Sequence, residues 1–218
     1  IDLSHPSKVA NMEMMRLSKA PVIASHSAAR AMNDVSRNLD DEQLMMLKEN
    51  GGVIQTVAFR SYVNSEKNSA NRAKSTEVMA AIAEEAGFEM KQRSELRAMS
   101  TEERTTYAEA LSNMSAKYED RIAKQVNAEA PAVNVSDFAD HIDYLVNKIG
   151  LKHVGISSDF DGGGGVEGWS DASETFNVTL ELVKRGYTEE EIGMMWSGNL
   201  LRVLDEVQAK AKEIQTAG

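Results

Sequence analysis

Ile1-Asp2-Leu3-Ser4-His5 and Pro21-Val22-Ile23-Ala24-Ser25-His26 are two short apolar runs, each closed by a histidine. Each reads as a buried strand, because it is short, apolar and bounded by polar residues, and an amphipathic helical pattern (Val9, Met12, Met15) lies between them. Strand, helix, strand is the unit of a parallel sheet. In such sheets the carboxyl ends of the strands line the ligand crevice, so two imidazoles placed there read first as metal ligands. The alternative is a pair of histidines that cap their strands through backbone hydrogen bonds.

Working outward, residues 52–59 and 153–158 give two further strand candidates. Residues 40–49 follow Asp40 as a helix N-cap, and residues 136–149 place Phe138, Ile142, Leu145 and Ile149 on one helical face. Thr188 and Glu191 form a capping-box pattern that opens helical sequence running through Leu200, Val203, Leu204 and Val207. The order predicts an α/β fold with parallel strands. Residues 64–130 differ: they lack proline, are rich in Ala, Glu, Lys, Arg and Met, and carry a capping box at Ser100 and Glu103. They read as a helical insertion between the third and fourth strands, a solvated hairpin with interspersed charges rather than a lid or subunit contact. Four strands are half of what a (β/α)8 barrel needs. Such a half exposes sheet edges and an apolar face, so something else is expected to cover them.

The 218 residues, 42% hydrophobic, suffice for a sizeable core. A net charge of -10 without a basic cluster argues against nucleic acid as a partner. The absence of cysteine leaves any metal chemistry to His, Asp and Glu. No apolar stretch approaches the ~18 residues that span a bilayer. The chain opens without Met, inside what reads as a strand, so residues are expected to precede it. A targeting signal would lie among them, which leaves cell envelope and cytoplasm equally open.

The fourth strand runs into Ser157-Ser158-Asp159-Phe160-Asp161-Gly162-Gly163-Gly164-Gly165. A carboxylate at a strand end, followed by glycines that let backbone approach a ligand, suits a catalytic corner. Such a loop can also bind calcium or simply turn the chain, although an EF-hand starting at Asp159 would need Glu where Ser170 stands. His5, His26 and Asp159 all fall at carboxyl ends of strands, so the three are expected to face one mouth. His141, at helical spacing with Phe138 and Leu145, and His153, at the start of its strand, read as structural.

These segments, together with Ser36-Arg37-Asn38 and Gly198-Asn199-Leu200-Leu201-Arg202-Val203, resemble the carboxyl-terminal half of the membrane (renal) dipeptidase family, zinc peptidase family M19. The resemblance runs end to end apart from the insertion, and the ordered set of motifs is specific. It implies a (β/α)8 barrel of the metallo-dependent hydrolase type, two zinc ions and hydrolysis of free dipeptides. His5 and His26 match the two histidines on one zinc, Asp159 the aspartate that moves the proton of attacking water and leaving amine, and Arg37 and Tyr62 residues that face substrate. An arginine fork suits the terminal carboxylate of a short peptide. The family's His-x-Asp pair, bridging glutamate and further substrate-facing histidine have no counterpart here, and are expected in an amino-terminal half absent from this chain.

The leading expectation is therefore part of a dinuclear zinc dipeptidase, with the missing half of the barrel as partner and a homodimer left open. Two others stand beside it: a related amidohydrolase acting on another amide or a lactam, since fold and metal do not fix substrate, and a catalytically silent half-barrel that acts as a binding module.

Overall fold

The computed structural model describes residues 1–217. The chain divides into two units: Ile1–Ser65 with the stretch from Val133 onward, and Glu66–Ala132.

In the first unit, α1 (Lys8–Leu17) leads to β1 (Ile23–Ser27), α2 (Asp41–Asn50) to β2 (Val53–Val57), and the short α3 (Arg60–Val63) follows β2 directly. The second unit holds α4 (Ser65–Glu85) from its second residue onward, α5 (Arg93–Ala98), α6 (Thr101–Lys117) and α7 (Glu119–Glu129) around Val78, Ile82, Met114 and Val126. Ser100 caps α6 as its capping-box pattern predicts. The first unit resumes with α8 (Val135–Ile149), β3 (Val154–Ser157), α9 (Thr175–Lys184), α10 (Glu189–Gly193), a π turn at Met194–Gly198 and α11 (Asn199–Ala217). Among the described residues no helix is long and apolar enough to cross a membrane.

The sheet is parallel throughout, in the order β1-β2-β3, with Ile23 opposite Val53 and Ile54 opposite Val154. β2 lies between the other two strands and is buried along its whole length, Val53, Ile54 and Val57 together with the polar Gln55 and Thr56. Phe138, Ile142, Leu145 and Ile149 of α8 are all fully buried in the main core, each contributing about 1.5–3 kcal/mol through burial. The helix starts where Asn134 caps it and Asp137 closes the capping box. Asp40 does the same for α2 with Gln43, and Gly51 ends that helix in the left-handed conformation.

Three expectations are altered. Residues 1–5 form one parallel bridge, Asp2 to Ile23, in place of a strand. The ladder begins, with Leu3 N–H donating to Ile23 O at 2.8 Å, but its next bond is diverted: Ser25 N–H goes to the Asp2 carboxylate and Leu3 O accepts from the Asn11 side chain. Val9 is 80% exposed, because α1 turns Asn11 and Met15 inward instead. The final helical run is interrupted by the π turn, and of its four apolar positions only Val203 is buried.

Candidate active site

With all three strands parallel, the residues that close them share one end of the sheet. His26 is the fourth residue of β1, and its backbone N–H donates to Ser4 Oγ at 2.9 Å, which ties the strand to the loop carrying His5. The two rings meet edge-on, centroids 4.8 Å apart at 61°, with their Nε2 atoms 2.8 Å from each other. Behind them, Ser25 Oγ lies 2.7 Å from His26 Nδ1 and 2.5 Å from Asp2 Oδ2. Burial raises the Asp2 carboxyl, but the Ser25 hydroxyl and the N–H groups of Ser25 and Ser4 outweigh it and hold the group below the usual carboxylate range.

Two imidazole Nε2 atoms brought together in this way are donors of the kind that suits a borderline cation such as zinc. The donor set is partial: among the described residues no group of three or more His, Asp or Glu could hold a metal, whereas catalytic zinc usually has three protein ligands.

Arg37 sits on the loop between β1 and α2, beside the histidine pair. One of its terminal nitrogens donates to the carbonyl of Ser4 and its Nε–H to the Tyr62 hydroxyl at 3.2 Å. Tyr62, on α3, stacks on Phe59 with ring centroids 4.3 Å apart. Asn38 donates to the carbonyls of Asn33 and Tyr62, and Asn33 to those of Ser61 and Tyr62, so the Arg37 loop and α3 are laced together. A cavity of about 380 Å³ opens beside this lacing, lined by His5, Arg30, Arg37, Asn38 and Gln43 among others.

Asp159 follows β3 by two residues, two strands away from β1, or roughly 9–10 Å across the sheet. Its backbone is left-handed, φ 54° and ψ 37°, the one positive φ outside glycine among the described residues. Aspartate tolerates that conformation better than most residues. Its carbonyl accepts from Gly162 and Gly164, and Gly165 N–H donates to Ala58 O at 2.6 Å, docking the loop on the end of β2. A Cβ at Gly164 would run into the carbonyl of Ser158, so the loop requires glycine there. Phe160 packs edge-on against Trp169, which also meets Phe138 and Trp196 and anchors the loop in the core.

His5 and His26 are thus in direct contact, Arg37 and Tyr62 are in contact with each other and adjacent to them, and Asp159 lies at the same sheet end without touching the four. His141 is buried, accepting from Ala29 N–H at Nδ1 and facing Val63 O with Nε2. His153 faces Gly52 O at the opposite end of the sheet. Asp2, Ser25 and Asn38 were not singled out from sequence. Asp2 and Ser25 carry one signal, a polar residue set within an apolar run, and Asn38 carries none.

The family model for membrane dipeptidase, peptidase family M19, matches residues 1–218. Dipeptidase ataJ of Aspergillus terreus is 31% identical over 219 residues, covering 100% of this chain and 38% of its own length. Human dipeptidase 3 is 30% identical over 215 residues, covering 98% of this chain and 31% of its own. The crystal structure of the probable dipeptidase PvdM from Pseudomonas aeruginosa superposes with a TM-score of 0.65 at 36% identity, over 96% of this chain and 50% of that one. A Rhodobacter sphaeroides metallo peptidase, liganded with a phosphinate mimic of the dipeptide L-Ala-D-Ala, shares the fold with a TM-score of 0.62 at 21% identity, over 94% and 41%. The chain spans half or less of the length of each of these proteins.

Proposed function

The chain belongs to the membrane dipeptidase family, peptidase family M19, and from that premise we propose that it forms part of a zinc-dependent dipeptidase that hydrolyses the peptide bond of free dipeptides. The observation that carries the reading is the convergence of His5 and His26 Nε2 to 2.8 Å at the carboxyl end of a parallel sheet. In this reading the chain supplies half of a (β/α)8 barrel, with residues 64–130 as an insertion, and a further segment supplies the remaining strands and metal ligands. Support comes from the two-histidine donor set, short of the usual three, and from the half-length match to PvdM.

His5 and His26 would hold one of two zinc ions. When bound, zinc polarises the scissile carbonyl and lowers the pKa of an attacking water. The chain's own residues do the rest. Arg37 keeps part of its guanidinium free while Ser4 O and Tyr62 fix its plane, so it receives the terminal carboxylate of a dipeptide in one orientation. Tyr62 and Phe59 form an aromatic wall beside that carboxylate. Asp159, held off the metal ligands, takes the proton of the attacking water and delivers it to the leaving amine.

Joined to the segment that supplies the remaining strands and ligands, the zinc-loaded protein should cleave free dipeptides, lose activity to a chelator and regain it with zinc. Cleavage of lactams or acylated amino acids with no dipeptide turnover would overturn the substrate, and failure to retain zinc would overturn the metal.

A further inference from the structure

His5 and His26 look equivalent in sequence, but their hydrogen bonds differ. Asp2 Oδ1 accepts from the backbone N–H groups of Ser4 and Ser25, leaving Oδ2 for the Ser25 hydroxyl at 2.5 Å. A carboxylate is acceptor-only, so at that separation the hydroxyl proton must lie between Ser25 Oγ and Asp2. A proton placed instead between Ser25 Oγ and His26 would leave two oxygens facing each other across 2.5 Å with nothing between them. The other oxygen near Ser25, Ser4 Oγ, is 3.5 Å away and competes poorly. With its proton committed, Ser25 Oγ can only accept from His26 Nδ1, 2.7 Å away.

We propose that Asp2 and Ser25 form a proton-orienting relay that locks His26 in its Nδ1–H tautomer, so that the Nε2 lone pair points at His5 and stands ready for a divalent cation. His5 has no such partner: its Nδ1 meets no acceptor among the described residues, and without metal its Nε2–H donates to His26 Nε2. His26 is thus the preset ligand and His5 the one that exchanges tautomers when metal enters. A ligating histidine is commonly oriented by an acceptor on its other nitrogen, and loss of that acceptor typically weakens metal binding 10–100-fold. The tautomer assignment stands on hydrogen bonding alone, whereas its consequence for zinc rests on the function proposed above.

The test is a long-range ¹H–¹⁵N correlation spectrum of the imidazoles, recorded without metal at about pH 8.5, some two units above the ordinary histidine pKa. Wild type should show His26 protonated at Nδ1. Asp2→Asn should invert it: Oδ1 keeps its two backbone donors, the new amide donates to Ser25 Oγ, and the freed hydroxyl proton turns to Nδ1. With the segment that supplies the remaining ligands joined to the chain, a competing chelator should then show zinc affinity reduced about 10–100-fold in Asp2→Asn and Ser25→Ala, and little changed in Ser25→Thr, which keeps the hydroxyl. His26 protonated at Nε2 in wild type, or an Asp2→Asn variant with unchanged tautomer, would overturn the relay even if Ser25→Ala fails to fold. Absence of zinc binding in wild type would overturn the metal reading and leave the tautomer comparison to decide the relay.

Discussion

Arg37 donates its Nε–H to the Tyr62 hydroxyl at 3.2 Å, and its guanidinium carbon lies 5.5 Å from the centre of the same ring. Another of its nitrogens is committed to the carbonyl of Ser4, next to His5. The guanidinium is therefore braced from two sides, and what it presents outward is a flat, oriented pair of donors.

A lysine in its place keeps the charge and loses the plane. Arg37→Lys should lower kcat/KM for dipeptides by roughly 10–100-fold, the scale of one charged hydrogen bond worth about 1.5–3 kcal/mol, with zinc content unchanged. Tyr62→Phe removes one brace and should cost about tenfold or less. Steady-state kinetics on a dipeptide and its amide checks the role: the amide, lacking the terminal carboxylate, should be poor for wild type and lose little more in Arg37→Lys. Equal losses on both would remove Arg37 from carboxylate recognition.

The strands and α8 are legible because their signal is local. β1 and β3 begin as apolar stretches and run into polar residues, β2 holds Val53, Ile54 and Val57, and α8 repeats its apolar residues every three or four positions. The histidine pair is legible for the same reason, since both residues close such runs. What sequence conceals is any bond between segments far apart. Asp2 breaks the first strand by taking the N–H of Ser25, 23 residues away, and nothing local to Ile1-Asp2-Leu3 foretells it. Arg37 and Tyr62, 25 residues apart on irregular segments, were found only through a family resemblance. Val9 was misplaced because the buried side of α1 is set by Asn11 reaching Leu3 O, a polar contact that hydrophobic periodicity cannot register.

Asp159 combines a left-handed backbone with a loop that admits only glycine at position 164. In the complete enzyme Asp159→Asn preserves the backbone preference and the shape, and should cut kcat at least ~100-fold with the metal content unchanged. Gly164→Ala should move Asp159 without altering its chemistry: kcat falls, zinc stays, and thermal stability drops. Zinc loss in Asp159→Asn, measured by metal analysis, would instead make Asp159 a ligand. Near-normal turnover would take it out of the reaction.

Gly155, in the middle of β3, faces Gln55 on β2, and a Cβ there would fall on the Gln55 carboxamide. Gln55 is buried, so its carboxamide must find another position within the core. Gly155→Ala should destabilise by about 1–3 kcal/mol, the usual cost of overpacking, and Gln55→Ala combined with it should recover part of that loss. Denaturant unfolding of the two single variants and the double variant checks the coupling, and strictly additive losses would mean that the pair does not clash.

His141 makes stability depend on pH. Burial pushes its pKa below the ordinary value, against the opposing pull of the Val63 carbonyl and of Asp140 and Asp137, so the folded chain keeps the ring neutral where the unfolded chain charges it. Below the unfolded pKa of about 6.5 the unfolded state binds the extra proton. Stability is therefore fully present above that value and falls as pH drops towards the folded pKa, by at most about 1.4 kcal/mol per pH unit for this one group. His153, also lowered by burial, adds in the same direction, whereas the depressed carboxyls of Asp2, Asp40 and Asp41 act only nearer the acid range. Unfolding free energies at about pH 7.5, 6.5 and 5.5 should decline in wild type. His141→Gln, which can donate to Val63 O but cannot also receive the Ala29 N–H, should lose about 1–3 kcal/mol at the upper pH and show a shallower decline. An unaltered slope in the variant would show that His141 is not the group that charges on unfolding.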